Sequence, residues 1–172
     1  KFKNSINKNR FLLFVGSNFF GNTSGLDWYI KNVVGHIDFK TYIIGKNLLR
    51  KKYKDNPKIK FMGYVKNLNK FYKNSLFTVA PIFQGSGMKT KIAESLMYGK
   101  YIVGLNEAFV GYEKFEKKIG FKCKDAVSFI KAINILGKKK HLYFETNLRK
   151  IYLNNYSNYS MKNLYKKILG NI

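Results

Sequence analysis

Apolar runs recur along this chain with amphipathic stretches between them, and most runs end at a glycine or a polar turn. Phe11 to Val15 reads as a first strand ending at Gly16-Ser17, Tyr42 to Ile44 as a second ending at Gly45, and Ile59 to Met62 as a third ending at Gly63. Phe77 to Ile82, Tyr101 to Val103 and the shorter Phe121 to Cys123 read as three more. Between them, Gly25 to Val34 carries Leu26, Tyr29, Ile30 and Val33 at helical spacing, and Met88 to Tyr98 is amphipathic in the same way. Asn67 to Asn74 is a short helix with Leu68, Phe71 and Tyr72, and Asn47 to Tyr53 is a short basic helix or turn. Ala126 to Leu136, Leu142 to Leu153 and Tyr159 to Leu169 predict closing helices, with the Asn/Tyr/Ser tract 154–160 as a hinge before the last.

Strands that are apolar on both faces and alternate with helices predict a parallel sheet covered on both sides. The expected fold class is α/β, a Rossmann-like doubly wound sheet of about six strands with helices on both faces and extra C-terminal helices. Residues 1–172 are expected to form one domain, long enough for a real core. Ligands of such folds bind outside the carboxyl ends of the strands. Those ends are Gly16-Ser17, Gly45-Lys46, Gly63-Tyr64, Gln84-Gly85 and Gly104-Leu105.

The richest chemistry lies between Pro81 and Gly111. A strand leads into Gly85-Ser86-Gly87, then into a helix bearing Lys89, Lys91 and Glu94, then into another strand. Glycines let the backbone approach an anion, the free N–H groups of a helix N-terminus point at it, and the two lysines add charge. In a helix's first turn those lysines oppose the macrodipole, a cost that a bound diphosphate offsets. Glu94 follows Lys91 by three residues and so lies on a neighbouring part of the helix surface. A carboxylate there suits the two O–H donors of a ribose. Phosphate and ribose together read as a nucleotide. In the plainer reading, the glycines only make a turn and Glu94 pairs with Lys91 or Lys100.

Charge changes this picture less than its size suggests. The chain has 33 basic and 9 acidic residues, a net charge of +24. All the basic residues but Arg10, Arg50 and Arg149 are lysines, and they are scattered apart from the run Lys138-Lys139-Lys140. Lys, Asn, Ile, Tyr and Phe share AT-rich codons, so compositional bias explains much of the excess. Nucleic-acid readers favour the bidentate fork of Arg, so a nucleic-acid partner is disfavoured, and attraction to an anionic membrane surface is the better expectation. No apolar run reaches the roughly 18–20 residues that span a bilayer. The lone Cys123 excludes an internal disulfide and fits a reducing compartment. Two histidines and one cysteine are too few for a typical structural zinc site, and no Asp-x-Asp metal motif is present.

The string P-I-x-x-G-S-G-M-K-x-K-I-x-E-S-L-x-x-G-K, from Pro81 to Lys100, resembles the donor-site signature of GT-B glycosyltransferases of the group 1 type. One branch of that family reads P-L-x-x-G-x-G-x-R/K-x-K-x-x-E-A-x-x-x-G-x-P-V-V. The resemblance extends over about residues 10 to 137. It includes the first strand with Gly16-Ser17, Asn22 with Trp28-Tyr29-Ile30, Ile43-Ile44-Gly45, Phe61-Met62-Gly63-Tyr64-Val65, and Tyr72 with Ser75. It implies the C-terminal, donor-binding half of a longer bacterial enzyme of polysaccharide biosynthesis, cytoplasmic or peripheral to the inner face of the membrane. The N-terminal acceptor domain would be absent from this chain.

The implied reaction moves a hexose from a nucleotide-sugar donor to a glycan or lipid-linked acceptor, with retention and without a metal or other cofactor. The expected donor contacts are Gly16, Ser17, Tyr64, Val65, Gly85, Ser86, Gly87, Lys89, Lys91 and Glu94, with Tyr64 and Val65 beside the nucleobase. Asn22 and Ser24 read either as caps of the first helix or as donor contacts, and Asn106 and Gly111 face the donor sugar. The catalytic group is left unassigned. The pattern departs from the family where many relatives carry a Glu before the glycine turn: that place is Ser86 here, with Gln84 the nearest polar residue. An Arg found in another branch is replaced by Phe83. The identity of the sugar therefore stays open. The alternative to an enzyme half is a non-catalytic nucleotide- or anion-binding module held at membranes by its lysines.

Overall fold

A computed structural model of the chain describes residues 10–48, 51–85, 87–139 and 143–170. Six parallel strands form one sheet in the order β3-β2-β1-β4-β5-β6. They are β1 (Phe11–Val15), β2 (Lys40–Ile44), β3 (Ile59–Gly63), β4 (Thr78–Ala80), β5 (Ile102–Leu105) and β6 (Gly120–Cys123). The strand order reverses between β1 and β4. A crevice opens at such a switch point, outside the carboxyl ends of the two strands.

Alternation along the strands supplies both faces of the core. Leu12 and Phe14 of β1, with Val103 and Leu105 of β5, pack under α1 (Phe20–Asn32) and α5 (Ala126–Lys138). Phe11 and Leu13 point the other way, onto Tyr72 of α2 (Asn69–Asn74). Ile102 of β5 joins Ile92 and Leu96 of α3 (Thr90–Met97) and Leu148 of α6 (Thr146–Asn155) in a further cluster on that side. The doubly wound architecture expected from the pattern is thus present. The short α4 (Glu116–Ile119) and the final α7 (Asn158–Leu169) complete the fold. Ser157 caps α7 by accepting from the Ser160 N–H, and of the polar tract 154–160, expected as a hinge, only Tyr156 and Ser157 lie between the helices, the rest belonging to α6 and α7.

The boundaries moved where backbone meets backbone. The sequence predicts the first helix from Gly25, yet α1 starts at Phe20 and takes in Gly21 and Gly25. A Cβ on Gly25 would lie 1.6 Å from the Pro81 carbonyl oxygen, and one on Gly21 would lie 2.5 Å from that of Gln84. Two glycines one helical turn apart therefore form a groove that admits the chain leaving β4. β4 ends at Ala80 rather than Ile82, where Pro81 has no N–H for the ladder. Asn22 and Ser24, read either as caps or as donor contacts, lie inside α1 and do not cap it, and Ser24 Oγ donates back to the Phe20 carbonyl at 2.9 Å.

The motif helix starts at Thr90 and places Lys89 at its N-cap, and the sixth helix starts at Thr146. The segment 47–53 forms a 3-10 turn over Lys51–Tyr53, with Leu49 and Arg50 outside the described residues. Ser86, Lys140, His141 and Leu142 also lie outside them.

Lys100, read as a surface partner for Glu94, is instead fully buried. Its Nζ donates to the carbonyls of Lys73 at 3.1 Å, Ser75 at 2.6 Å and Tyr143 at 2.6 Å. Burial pushes its pKa down to about 7, while three carbonyl acceptors match the three donors of the charged form and oppose that push. The side chain ties the ends of α2 and α3 to the segment before α6. Lys100→Met removes the donor and leaves three carbonyls facing an apolar chain. Unfolding in urea is expected to show a loss of about 2–4 kcal/mol, against under about 1 kcal/mol for Lys66→Met on the surface.

Candidate functional site

Two loops meet at the switch point. The first leaves β1 through Gly16 and Ser17 and enters α1. The second leaves β4 through Gly85 and Gly87 and enters α3. Asn22 joins them: its Nδ2 donates to the Ser17 carbonyl at 3.1 Å, and its Oδ1 accepts from Lys91 Nζ. The Gly21–Gly25 groove makes this possible, because it seats the first turn of α1 directly against the β4 loop.

Lys91 is half-buried, with Nζ 5.7 Å from the centre of the Phe14 ring. Among the described residues its hydrogen-bond acceptor is Asn22 Oδ1, so two of its three N–H donors stay open. Burial lowers its pKa to about 8, with a further push from Lys89 and an opposing pull from Glu94. Among the described residues no side chain caps α3, and while the Ile92 N–H donates to the Lys89 carbonyl at 2.9 Å, the N–H groups of Thr90 and Lys91 have no partner among them. Gly87 sits at φ +62°, the left-handed region that favours glycine, and the space beyond its Cα is free.

Lys89 has a different task. It is 8% exposed, and its Nζ donates to the carbonyls of Gly85 at 3.1 Å and Gly87 at 2.6 Å and to Glu107 Oε1 at 2.8 Å. Its own carbonyl accepts from the Tyr112 hydroxyl at 2.9 Å. All three ammonium donors are occupied. Toward an anion in the crevice, Lys89 offers charge and an ordered glycine loop rather than a direct contact. Glu107, in the turn after β5, carried no signal in the sequence beyond its place at a strand end.

Glu94 lies on α3, one turn beyond Lys91. Its Oε2 accepts from the Tyr72 hydroxyl at 2.9 Å, and among the described residues it makes no ion pair. Val65 packs against the small cluster that holds Tyr72, while Tyr64 is 73% exposed at the end of β3. Asn106 and Gly111 follow β5 and are exposed, and Gly111 lies against Met88. Phe83 stands edge-on to Trp28 at 5.3 Å. The described residues of the expected set therefore group as Gly16–Ser17–Asn22–Lys91, the loop Gly85–Gly87–Lys89, and Glu94 with Tyr72. Tyr64 and Val65 sit on the same edge of the sheet, farther from the switch. Among the described residues, no group of three or more His, Cys, Asp or Glu is placed to hold a metal ion.

Residues 9–138 match the family model described as glycosyl transferases group 1, and the chain belongs to that family. Its fold is that of the C-terminal, Rossmann-like domain of GT-B glycosyltransferases. Among solved structures, TarM from S. aureus, crystallised with UDP, fondaparinux and α-GlcNAc-glycerol, superposes with a TM-score of 0.75 at 15% identity. That match covers 95% of this chain and 36% of TarM. WaaG, a glycosyltransferase involved in lipopolysaccharide biosynthesis, gives 0.68 at 14% identity over 96% of this chain and 49% of its own. The C-terminal domain of the group 1 protein LpcC from Francisella tularensis gives 0.62 at 12% identity, covering 86% and 87%. The chain thus spans about a third to a half of the two longer structures and nearly all of the isolated C-terminal domain. No curated protein matches it.

The lowered pKa of Lys91 makes anion binding depend on pH. Below about 8 its ammonium is charged in the free protein, and above that it is neutral. Affinity for inorganic pyrophosphate should therefore fall as pH rises from 7 to 9.5. Calorimetry in buffers of different ionisation heat should register proton uptake on binding near pH 9. Lys91→Met should bind more weakly and lose that uptake, and an unchanged pH profile in the variant would remove Lys91 from the site.

Proposed function

We propose that this domain binds the nucleotide-sugar donor of a glycosyltransferase and takes part in moving a hexose to a glycan or lipid-linked acceptor. The observation that carries this reading is the convergence at the switch point of an uncapped helix start, a glycine loop pinned by Lys89, and Lys91 with two open donors. The diphosphate would lie against Gly16, Ser17, the Gly85–Gly87 loop with Ser86, and Lys91. Glu94 would take the ribose hydroxyls, Tyr64 and Val65 the base, and Asn106 and Gly111 the sugar. Negative charge grows on the diphosphate as the glycosidic bond breaks, and fixed N–H donors and an ammonium there lower the barrier. The donor set supports a reaction without a metal. Retention follows from the family resemblance, as does an acceptor site on a second, N-terminal domain. The isolated chain is accordingly expected to transfer no sugar. The UDP in the TarM structure makes UDP the first nucleotide to test.

With EDTA present, a nucleoside diphosphate at about 100 times its Kd should stabilise the domain by roughly 2.7 kcal/mol. A thermal-shift screen with UDP, GDP, ADP and CMP reads this out. Lys91→Met should weaken the diphosphate far more than the bare nucleoside. No shift with any nucleotide at millimolar concentration, the fold being intact, would overturn the reading.

A second partner is supported by α7. Its Met161, Leu164, Tyr165, Ile168 and Leu169 recur at helical spacing and are all exposed, and Lys162, Lys166 and Lys167 occupy the other side. No helix among the described residues is long and apolar enough to cross a membrane. An amphipathic helix with a lysine face suits the plane of an anionic bilayer instead. We propose peripheral attachment there, at the cytoplasmic face in bacterial polysaccharide assembly. The chain should co-sediment with phosphatidylserine-containing vesicles and much less with phosphatidylcholine. Leu164→Asp with Ile168→Asp should abolish the binding. Equal binding by wild type and variant would assign this face to another partner, such as the acceptor domain.

A further inference from the structure

Glu94 does not stand alone on its helix. Tyr72 reaches it from α2, across 22 positions in the chain, and donates its O–H to Glu94 Oε2 at 2.9 Å. The tyrosine is 1% exposed, and its ring stacks on that of Tyr98 with centres 4.9 Å apart and planes 5° from parallel. The Tyr98 hydroxyl in turn donates to Asn69 Oδ1, at the start of α2. Two stacked rings thus tie α2 to α3 and leave the Tyr72 hydroxyl little freedom to turn away. Burial and the neighbouring Glu94 charge raise the Tyr72 pKa well above the usual phenol value, so the hydroxyl stays a donor.

A surface glutamate in a chain of net charge +24 has many cations within reach of its flexible side chain. Lys91 is one turn away on the same helix and tugs on it electrostatically. Yet Glu94 is held by a neutral donor, and among the described residues its Oε1 has no hydrogen-bond partner. A carboxylate with one oxygen anchored and the other open is prepared to accept from a ligand hydroxyl without first losing rotamer freedom. We infer that Tyr72 is a positioning residue for donor binding, fixing the Glu94 carboxylate so that its free oxygen meets the ribose diol. The inference rests on the ribose reading of Glu94 and adds to it a side chain that touches no ligand.

The test compares wild type, Tyr72→Phe, Glu94→Gln and the double variant by calorimetry against UDP, 2′-deoxy-UDP and inorganic pyrophosphate. GDP and ADP with their deoxy forms replace the uridine pair if UDP does not bind. Phenylalanine keeps the ring and its stack, and thermal melting checks that the variant folds. Tyr72→Phe should weaken UDP by about threefold to thirtyfold and leave pyrophosphate unchanged. The preference for UDP over its 2′-deoxy form should shrink toward one. In the Glu94→Gln background, Tyr72→Phe should cost clearly less than in wild type. If Glu94→Gln weakens UDP but Tyr72→Phe does not, the positioning role is wrong while the ribose reading stands. If Glu94→Gln has no effect, both fall. Equal weakening of UDP and pyrophosphate in Tyr72→Phe reports a general loosening of the fold and overturns the inference, as does binding of none of the three nucleotides.

Discussion

The site depends on one close approach, that of α1 to the chain leaving β4. Any side chain at position 25 would meet the Pro81 carbonyl oxygen, at 1.6 Å for its first carbon. Because glycine stands there, the helix lies on the backbone itself. That contact sets how far the β1 loop is from the β4 loop. It brings Asn22 against both Ser17 and Lys91, and it turns the chain at Pro81 so that Gly85 and Gly87 lead into α3. With a side chain at position 25 holding the helix farther off, the two loops would stand apart and the crevice would lose its second wall.

Within that frame three lysines do unlike work, and their surroundings explain why. Lys100 and Lys89 each meet three acceptors, which match the three donors of an ammonium. Both are structural cations: one fastens helix ends, the other orders the glycine loop. Lys91 meets one acceptor among the described residues. It is held in place but not saturated, the condition in which a buried charge favours a bound anion. The carboxylates divide in the same way. Glu107 pairs with Lys89, the lysine that holds the glycine loop, whereas Glu94 is anchored by an uncharged hydroxyl and makes no ion pair among the described residues.

Membership in the group 1 glycosyltransferases and the GT-B C-terminal fold define the class of chemistry. The details of this site give that class a physical form. Lys91, with one acceptor among the described residues, stands near Glu94, which makes no ion pair among them; a phosphate would suit the first and a ligand hydroxyl the second. A nucleotide carries both features a short distance apart, and on the proposed reading one ligand would account for both halves of the site.

The sequence by itself determined the succession of strands and helices, the parallel and doubly wound arrangement, and the glycine–lysine–glutamate string at the carboxyl ends of the strands. Those follow from local periodicity and from residue types whose conformational needs are local, such as Gly87. Only the tertiary structure decided what each charged group faces. That Lys89 is internally satisfied, that Lys91 is not, that Lys100 is buried and that Tyr72 holds Glu94 all depend on partners many positions away. The early start of α1 was hidden for the same reason. Two glycines disfavour a helix when read locally, and the backbone they let approach belongs to a segment some 56 residues further on, at Pro81. Burial and hydrogen-bond saturation are properties of the assembled neighbourhood, and no spacing along the chain encodes them.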